Sequence, residues 1–455
     1  MKPLRPLLVL AAALALGSPV SAADRTAAWP TAPLALQDAL DLALAQNPSV
    51  LKGKQDIEES YGVALQLRSV FTPKLGASGA YSIIDEGKIE KVQFGPGAPG
   101  VAFQKDQSWN AGINVSQPLY AGGKLRSSLR GAKLTQEAAL AAYQALVADT
   151  LLEVRIGYQD VLLAAEQILT QESSTQLLGK ELADTQRRHE AGTVPRFNVL
   201  RAEVELANAK PKLFRARNAH RLAKNNLATL LGWSIPADTG ADIPLALAGK
   251  LAAAPEGADL PSAIAKAVQQ RPELTSRRLA EKLRREDVVQ SRSAYAPSLN
   301  AVAGYGWTSQ TFSPSLADEV HGWSAGVRVD WSLLDFGLTR GRVAAANARQ
   351  EKSRIDTDDT FRRIEQEVRT AHSTFLEAIE VLGSQAKVIE QGEEALRLAN
   401  ARADAGSGTQ LDVLSAQTAL TDARTIYSQA LRDHTVARAR LERAMGEGTV
   451  MRKTP

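Results

Sequence analysis

The chain contains one segment written twice. Asn47-Pro48 returns as Arg271-Pro272, Pro73 as Pro297 and Tyr81 as Tyr305, all at one constant offset in the numbering. Further along a second, shorter offset holds, pairing Trp109 with Trp323, Val115 with Val329, Leu119 with Leu333 and Gly123 with Gly337. Glu153-Val154-Arg155 with Glu367-Val368-Arg369, Ala191-Gly192 with Ala405-Gly406, and Val199-Leu200 with Val413-Leu414 keep that second offset. The change from one to the other falls between Tyr81 and Trp109, where the first copy has the longer loop. A length of 455 residues would otherwise suit two or three independent domains. Self-similarity at a fixed period instead makes each half one structural unit of roughly 210 residues. Residues 23–235 form the first unit, 236–259 a linker, 260–446 the second unit and 447–455 a C-terminal tail.

The beginning of the chain fixes its compartment. Lys2 and Arg5 precede an unbroken apolar run from Leu7 to Leu16, followed by small residues ending Val20-Ser21-Ala22. This reads as a secretory signal over residues 1–22, cut after Ala22. The run is too short to cross a hydrocarbon layer of about 30 Å, and no later stretch approaches eighteen apolar residues, so membrane-spanning helices are not expected. The absence of cysteine excludes disulfide, zinc-thiolate, iron-sulfur and cysteine-nucleophile chemistry. With no cysteine a lipid-modified N-terminus is not expected either. Without Lys2 and Arg5 the balance is 52 basic against 50 acidic side chains, or +2 spread along the chain. No nucleic-acid partner is suggested.

Each unit repeats three textures. A helix is expected from Leu36 to about Phe71 and from Leu260 to about Tyr295, each closed by a proline two residues on. Strands follow, at about 74–86 and 107–119, then at about 298–308 and 322–333. Trp323, Ala325, Val327, Val329 and Trp331 alternate with Ser324, Gly326, Arg328, Asp330 and Ser332, giving one apolar and one polar face. The third texture is a long proline-free stretch. Val147, Leu151, Val154, Tyr158, Val161, Ala165 and Ile168 step by four and three, as do Val368, Ala371, Phe375, Ala378 and Leu382. That is a coiled-coil seam. A helix from Leu125 to Ala191 would run about 100 Å, turn at 192–195 and return; the second copy turns at 406–409.

Aromatic residues concentrate in the strands: 13 of 23 fall within 71–120 or 295–336. Trp109, Trp307, Trp323 and Trp331 are the candidate membrane girdle. Trp323 and Trp331 stand eight residues apart, about 26 Å along a strand, and a transmembrane β-strand shows lipid an apolar band of about 25 Å between aromatic belts. Four strands cannot close a barrel, and an open edge in lipid leaves backbone groups unpaired at several kcal/mol each. Copies must therefore combine. Two would give eight strands and a filled interior, three would give twelve and a pore.

The signal segment, the duplication, Gln117-Pro118-Leu119-Tyr120-Ala121-Gly122-Gly123 leading into a long helix, and the tip motifs together resemble the TolC family of outer-membrane efflux proteins. The tip motifs are Gly192-Thr193-Val194 with Asn198-Val199-Leu200 and Gly406-Ser407-Gly408-Thr409 with Asp412-Val413-Leu414. The resemblance implies a homotrimer in the outer membrane: a twelve-stranded β-barrel continued by a long periplasmic α-helical barrel, with the linker in an equatorial belt. It implies an exit duct for efflux or type I secretion, opened when a periplasmic adaptor, working with an inner-membrane RND or ABC transporter, docks on the tips. Those tips are Gly192, Thr193, Val194, Gly406, Ser407, Gly408 and Thr409. Asp412 matches the first carboxylate of the family's periplasmic entrance, Ser415 stands in place of the second, and Asn198 occupies the first-copy position. A trimer would present three carboxylates. The family's tyrosine and arginine latch falls here on Ala403 and Gly408. Asp412 is equally an acidic residue in a first helical turn, three after a candidate N-cap, Thr409.

No catalytic or metal-ligating set is visible, and no cofactor is implied. His189, His220, His321, His372 and His434 lack ligand spacing, and the glycine-rich segments lack the third glycine or the lysine of nucleotide loops. An exported coiled-coil scaffold with a water-facing sheet is the alternative to a channel, and an exported hydrolase a distant third.

Overall fold

The computed structural model describes residues 32–97, 100–102, 105–235, 242–253, 259–309 and 316–447. The expected signal segment, much of the linker and the tail beyond Glu447 lie outside them. The first copy runs α1 (Leu36–Gln46), α2 (Pro48–Arg68), β1 (Lys74–Ile83), a small hairpin of β2 (Lys91–Val92) and β3 (Val101–Ala102), then β4 (Gln107–Ala121), α3 (Lys124–Glu190) and α4 (Arg196–Leu230). The second runs α5 (Leu260–Gln270), α6 (Pro272–Arg292), β5 (Ser298–Ser309), β6 (Glu319–Asp330), α7 (Leu338–Asp404) and α8 (Gln410–Met445). Helices α3 and α7 have 67 residues each, about 100 Å at 1.5 Å per residue.

The opening helix expected in each copy is in fact two. Asn47 (φ −58°, ψ 127°) and Arg271 (φ −67°, ψ 119°) leave the helical region because the ring of a following proline crowds it. Asn47 then caps α2, its oxygen accepting from the Ser49 and Val50 amides at 2.8 and 3.3 Å. Its side-chain amide donates to the Leu230 carbonyl at 2.7 Å, so α2 begins where α4 ends. The helices therefore form a four-wide layer. Near the sheet the order is α2, α3, α6, α7; towards the tips it is α4, α3, α8, α7.

The seam residues make the core. Val154, Tyr158, Val161 and Leu227 pack with Ala39 and Leu40 in the first copy; Val368, Phe375 and Leu441 pack with Ala263 and Ala267 in the second. Alanines on α1 and α5 let these short helices lie close on the long ones. Beside the second core, Arg271 and Arg443 are only 5% and 6% exposed. Arg271 pairs with Glu273 at 3.1 Å and Glu367 at 2.5 Å, and Arg443 with Asp149 at 2.7 Å and with Glu273. Burial alone would raise Glu273, but the two guanidinium groups outweigh it and hold the carboxyl at about 2.

The large strands form one antiparallel sheet in the order β1, β4, β5, β6, with the two hairpins joined through β4 and β5. Three strands differ from expectation at their ends. β1 stops at Ile83, where Asp85 accepts from the Gly87 amide and turns the chain. β4 continues through a bulge near Leu119 to Ala121. β6 starts at Glu319 and ends at Asp330, opposite the first residue of β5, Ser298. Trp331 thus lies just past the strand that the alternation had placed it on.

Candidate functional site

Residues directly opposed in an antiparallel sheet share a face, so the register sorts the side chains. Leu75, Val115, Ala303 and Ala325 form one row, and Ala77, Ile113, Tyr305 and Trp323 the next, all on one side. The other side carries Gly76, Asn114, Gly304 and Ser324, then Ser78, Gly112, Gly306 and Gly322. Among the described residues nothing covers the apolar side: Trp323 is 79% exposed, and Val327 on the same strand and Leu75 on β1 at the far edge are exposed too. Each such side chain forgoes about 1.5–3 kcal/mol while it remains in water. The polar side, built from small residues, leaves room beside it.

The four candidate girdle residues separate into two levels. Trp109, Trp307 and Trp323 lie towards the outer end with Tyr81 and Tyr305; Trp331 lies at the helix end with Tyr295. The Trp109 indole donates to the Leu316 carbonyl at 2.9 Å, and the Trp331 indole to the Tyr295 carbonyl at 3.2 Å. Trp307 meets Tyr305 edge-on at 4.8 Å.

At the far end of the helices both hairpins reverse in the same way. Gly192 (φ 73°) and Gly406 (φ 69°) take left-handed backbone after α3 and α7. The amide and hydroxyl of Thr193 donate to the Arg188 carbonyl, and the amides of Ser407 and Gly408 to that of Arg402. Gly408 is needed for closeness: a Cβ there would lie 2.9 Å from the Arg402 Cβ. Thr409 and Asp412 close a reciprocal capping box on α8. Hydrogen bonds from the Thr409 amide and hydroxyl hold the Asp412 carboxyl below its usual range.

The candidate entrance residues do not converge within one chain. Asn198 lines a groove of about 650 Å³ between the two hairpins, together with Val194, Gly408 and Thr409. Asp412 and Ser415 instead share the exposed face of α8. Sequence pattern does not mark the residues that tie the tips together. Gln410 donates to Thr185 at 2.5 Å and to Glu181 at 3.2 Å, and Arg188 approaches Asp404 at 3.7 Å. These pairs lie in different copies of the repeat, and no periodicity marks them.

The family model for the outer membrane efflux protein matches residues 39–233 and 263–447, one match for each copy. The chain belongs to the outer membrane efflux protein family. It is 23% identical to outer membrane protein TolC of Vibrio cholerae over 98% of this chain and 96% of that one. It is 24% identical to the alkaline protease secretion protein AprF of Pseudomonas aeruginosa, over 74% of this chain and 70% of the other. Its fold matches the solved outer-membrane channel OprN with a TM-score of 0.75 at 21% identity, over 91% of this chain and 90% of that one. It also matches the outer membrane protein VceC of Vibrio cholerae, with a TM-score of 0.73 at 18% identity, over 91% and 97%. As a member of the outer membrane efflux protein family, the chain is an outer-membrane channel for efflux or secretion, with its sheet in the membrane and its long helices in the periplasm.

Proposed function

We propose that three copies close into a twelve-stranded barrel continued by a helical tunnel, a passive exit duct engaged at its tips by a periplasmic adaptor and, through it, an inner-membrane transporter. The observation that carries this reading is the sheet, bare on its apolar side and, among the described residues, unpaired along the outer edges of β1 and β6. Lipid covers the first and further copies close the second, which also abolishes the edges. Twelve strands leave a pore that the polar side would line, mostly with Gly, Ser and Asn and with Arg328 and Asp330 towards the helix end. Helix α7 at one border of the helical layer and α2 with α4 at the other meet the next copies in the same closure. The inner-membrane partner selects the cargo. The exposed carboxylate of Asp412 forms a ring of three at the periplasmic entrance, with Ser415 and Asn198 as neutral neighbours, and the glycine turns at 192 and 406–408 present the docking surface. No catalytic step is assigned to the chain. A water-facing scaffold is disfavoured because its exposed apolar side would have no cover.

Membrane fractionation with crosslinking tests the reading. Single cysteines at Thr193 or Ser407 are expected to link to a co-expressed adaptor while the protein stays in the outer-membrane fraction as a trimer. Recovery as a monomer from periplasm without detergent would overturn it.

A further inference from the structure

The duplication describes a joint that one chain cannot make by itself. Inside the chain the first copy meets the second through β4 and β5, with Ile113 opposite Tyr305, Val115 opposite Ala303 and Gln117 opposite Ala301. The two hairpins share one register. Lys74 opposite Ser116 becomes Ser298 opposite Asp330 when β1 is moved by the Tyr81-to-Tyr305 offset and β4 by the Trp109-to-Trp323 offset. The same two shifts turn the β4 and β5 joint into a pairing of β6 with β1 of another copy. Resting on the closed-barrel reading above, this sets Val327 opposite Tyr81 of the partner subunit, Val329 opposite Gly79 of the partner subunit and Trp331 opposite Ala77 of the partner subunit. It also explains why the chain leaves its strand at Asp330, while β4 continues to Ala121 against β5. The missing neighbour is in the next molecule.

At the corner between strand and long helix the two copies differ. Gly122 has φ +54°, and a Cβ there would lie 2.5 Å from the Ser293 oxygen and 2.9 Å from the Ala296 Cβ. The inner corner therefore closes backbone against backbone. Its counterpart in the second copy, just before Gly337 as Gly122 is just before Gly123, is Phe336, with φ 48° and 92% of its surface exposed. Left-handed backbone under a bulky side chain is strained and persists where surrounding structure enforces it. Among the described residues of its own chain nothing encloses this ring. Ser293 and Ala296 have as their first-copy counterparts Ser69 and Thr72, at the foot of β1 on the opposite edge of the sheet.

We infer that subunits join in this β6 to β1 register and that Phe336 is the wedge of the joint, its ring lying against the Ser69 to Thr72 turn of the partner subunit. The direct contact made at Gly122 cannot be repeated there, since even a Cβ does not fit that geometry. The corners of the closed barrel thus alternate, half of them shut on glycine and half opened by phenylalanine.

The chain has no cysteine, so introduced pairs report without background. A disulfide needs Cα atoms within about 7 Å. In protein extracted from the outer membrane, Val327→Cys with Tyr81→Cys, and Phe336→Cys with Thr72→Cys, should link subunits covalently on oxidation. Val327→Cys with Ala77→Cys, out of register by two full pleats, should not. Linkage of the shifted pair, or none at all in an oligomer that runs intact on a native gel, overturns the joint. Absence of any oligomer overturns the assembly itself. Phe336→Gly separates a wedge from mere strain: loss of the wedge lowers the temperature at which the oligomer dissociates, whereas relief of strain at an uncovered or lipid-facing position raises it and refutes the contact.

Discussion

Thr409 and Asp412 hold each other at the start of α8: the Asp412 carboxylate accepts from the Thr409 amide at 2.9 Å, and the Thr409 hydroxyl lies 3.2 Å from the Asp412 amide. One side chain thus starts the helix and, in the proposed duct, places a fixed charge at its periplasmic end. Asn can accept the same amide bond but carries no charge. Asp412→Asn should therefore keep the tip folded yet weaken cation selectivity and block by multivalent cations, measured as a reversal potential across a salt gradient. An unchanged potential would remove Asp412 from the entrance. The carboxyl is held below its usual value, so its capping contribution is complete above about pH 3.9 and lost as pH falls through the lower folded value.

The Arg271, Glu273 and Arg443 cluster should respond strongly to loss of one partner. Removing Arg443 leaves the largely buried Glu273 with Arg271 as its remaining cation and frees the exposed Asp149 to water, and loss of one cation from a partly buried pair costs about 1–3 kcal/mol. Arg443→Leu is expected to lower the thermal dissociation temperature, followed by electrophoresis without boiling. Because Glu273 is depressed to about 2, its contribution is full above the ordinary glutamate range and disappears as pH falls towards 2. The wild type should lose heat resistance over that acid range more than the variant does.

His434 is buried on α8 with its ring 5.4 Å from that of Phe375, and its Nδ1 has no hydrogen-bond partner among the described residues. Burial, then the charge of Arg438, lowers its pKa. The folded protein therefore resists protonating it, and stability should decline as pH drops below about 6.5. His434→Leu removes the unpaired nitrogen and should be neutral or stabilising by about 1 kcal/mol, with a flatter pH profile between 7 and 5. Identical profiles would show that the ring carries no such penalty.

The two sides of β6 should tolerate charge differently. Val327 lies midway between the two aromatic levels on the apolar side, and arginine at such a depth costs about 2–4 kcal/mol. Ser324 belongs to the opposite side. Val327→Arg should reduce insertion into the outer membrane, while Ser324→Arg should insert normally and reduce conductance. Equal tolerance would mean that the sides are assigned wrongly.

The sequence made the duplicated unit legible because landmarks such as Trp109 and Trp323, or Val154 and Val368, keep register across both copies. The strand faces followed from simple alternation. Local pattern stopped short where a second element decides the outcome. Asn47-Pro48 and Arg271-Pro272 served as landmarks, yet the break they impose on the helix became plain only with α2 seated on the end of α4. The alternation through Trp331 suggested a longer β6, since nothing in a single strand tells where its partner begins. The tip groove joins Gln410 to Thr185, residues 225 apart, which neither propensity nor spacing could bring together.

Conductance in a planar lipid bilayer tests the central claim most directly. Protein purified as a trimer from outer membranes should produce discrete, long-lived conductance steps that favour cations, with the preference weakened in Asp412→Asn. Trimers that insert stably and carry no current, or a protein found only as a soluble monomer, would contradict the account.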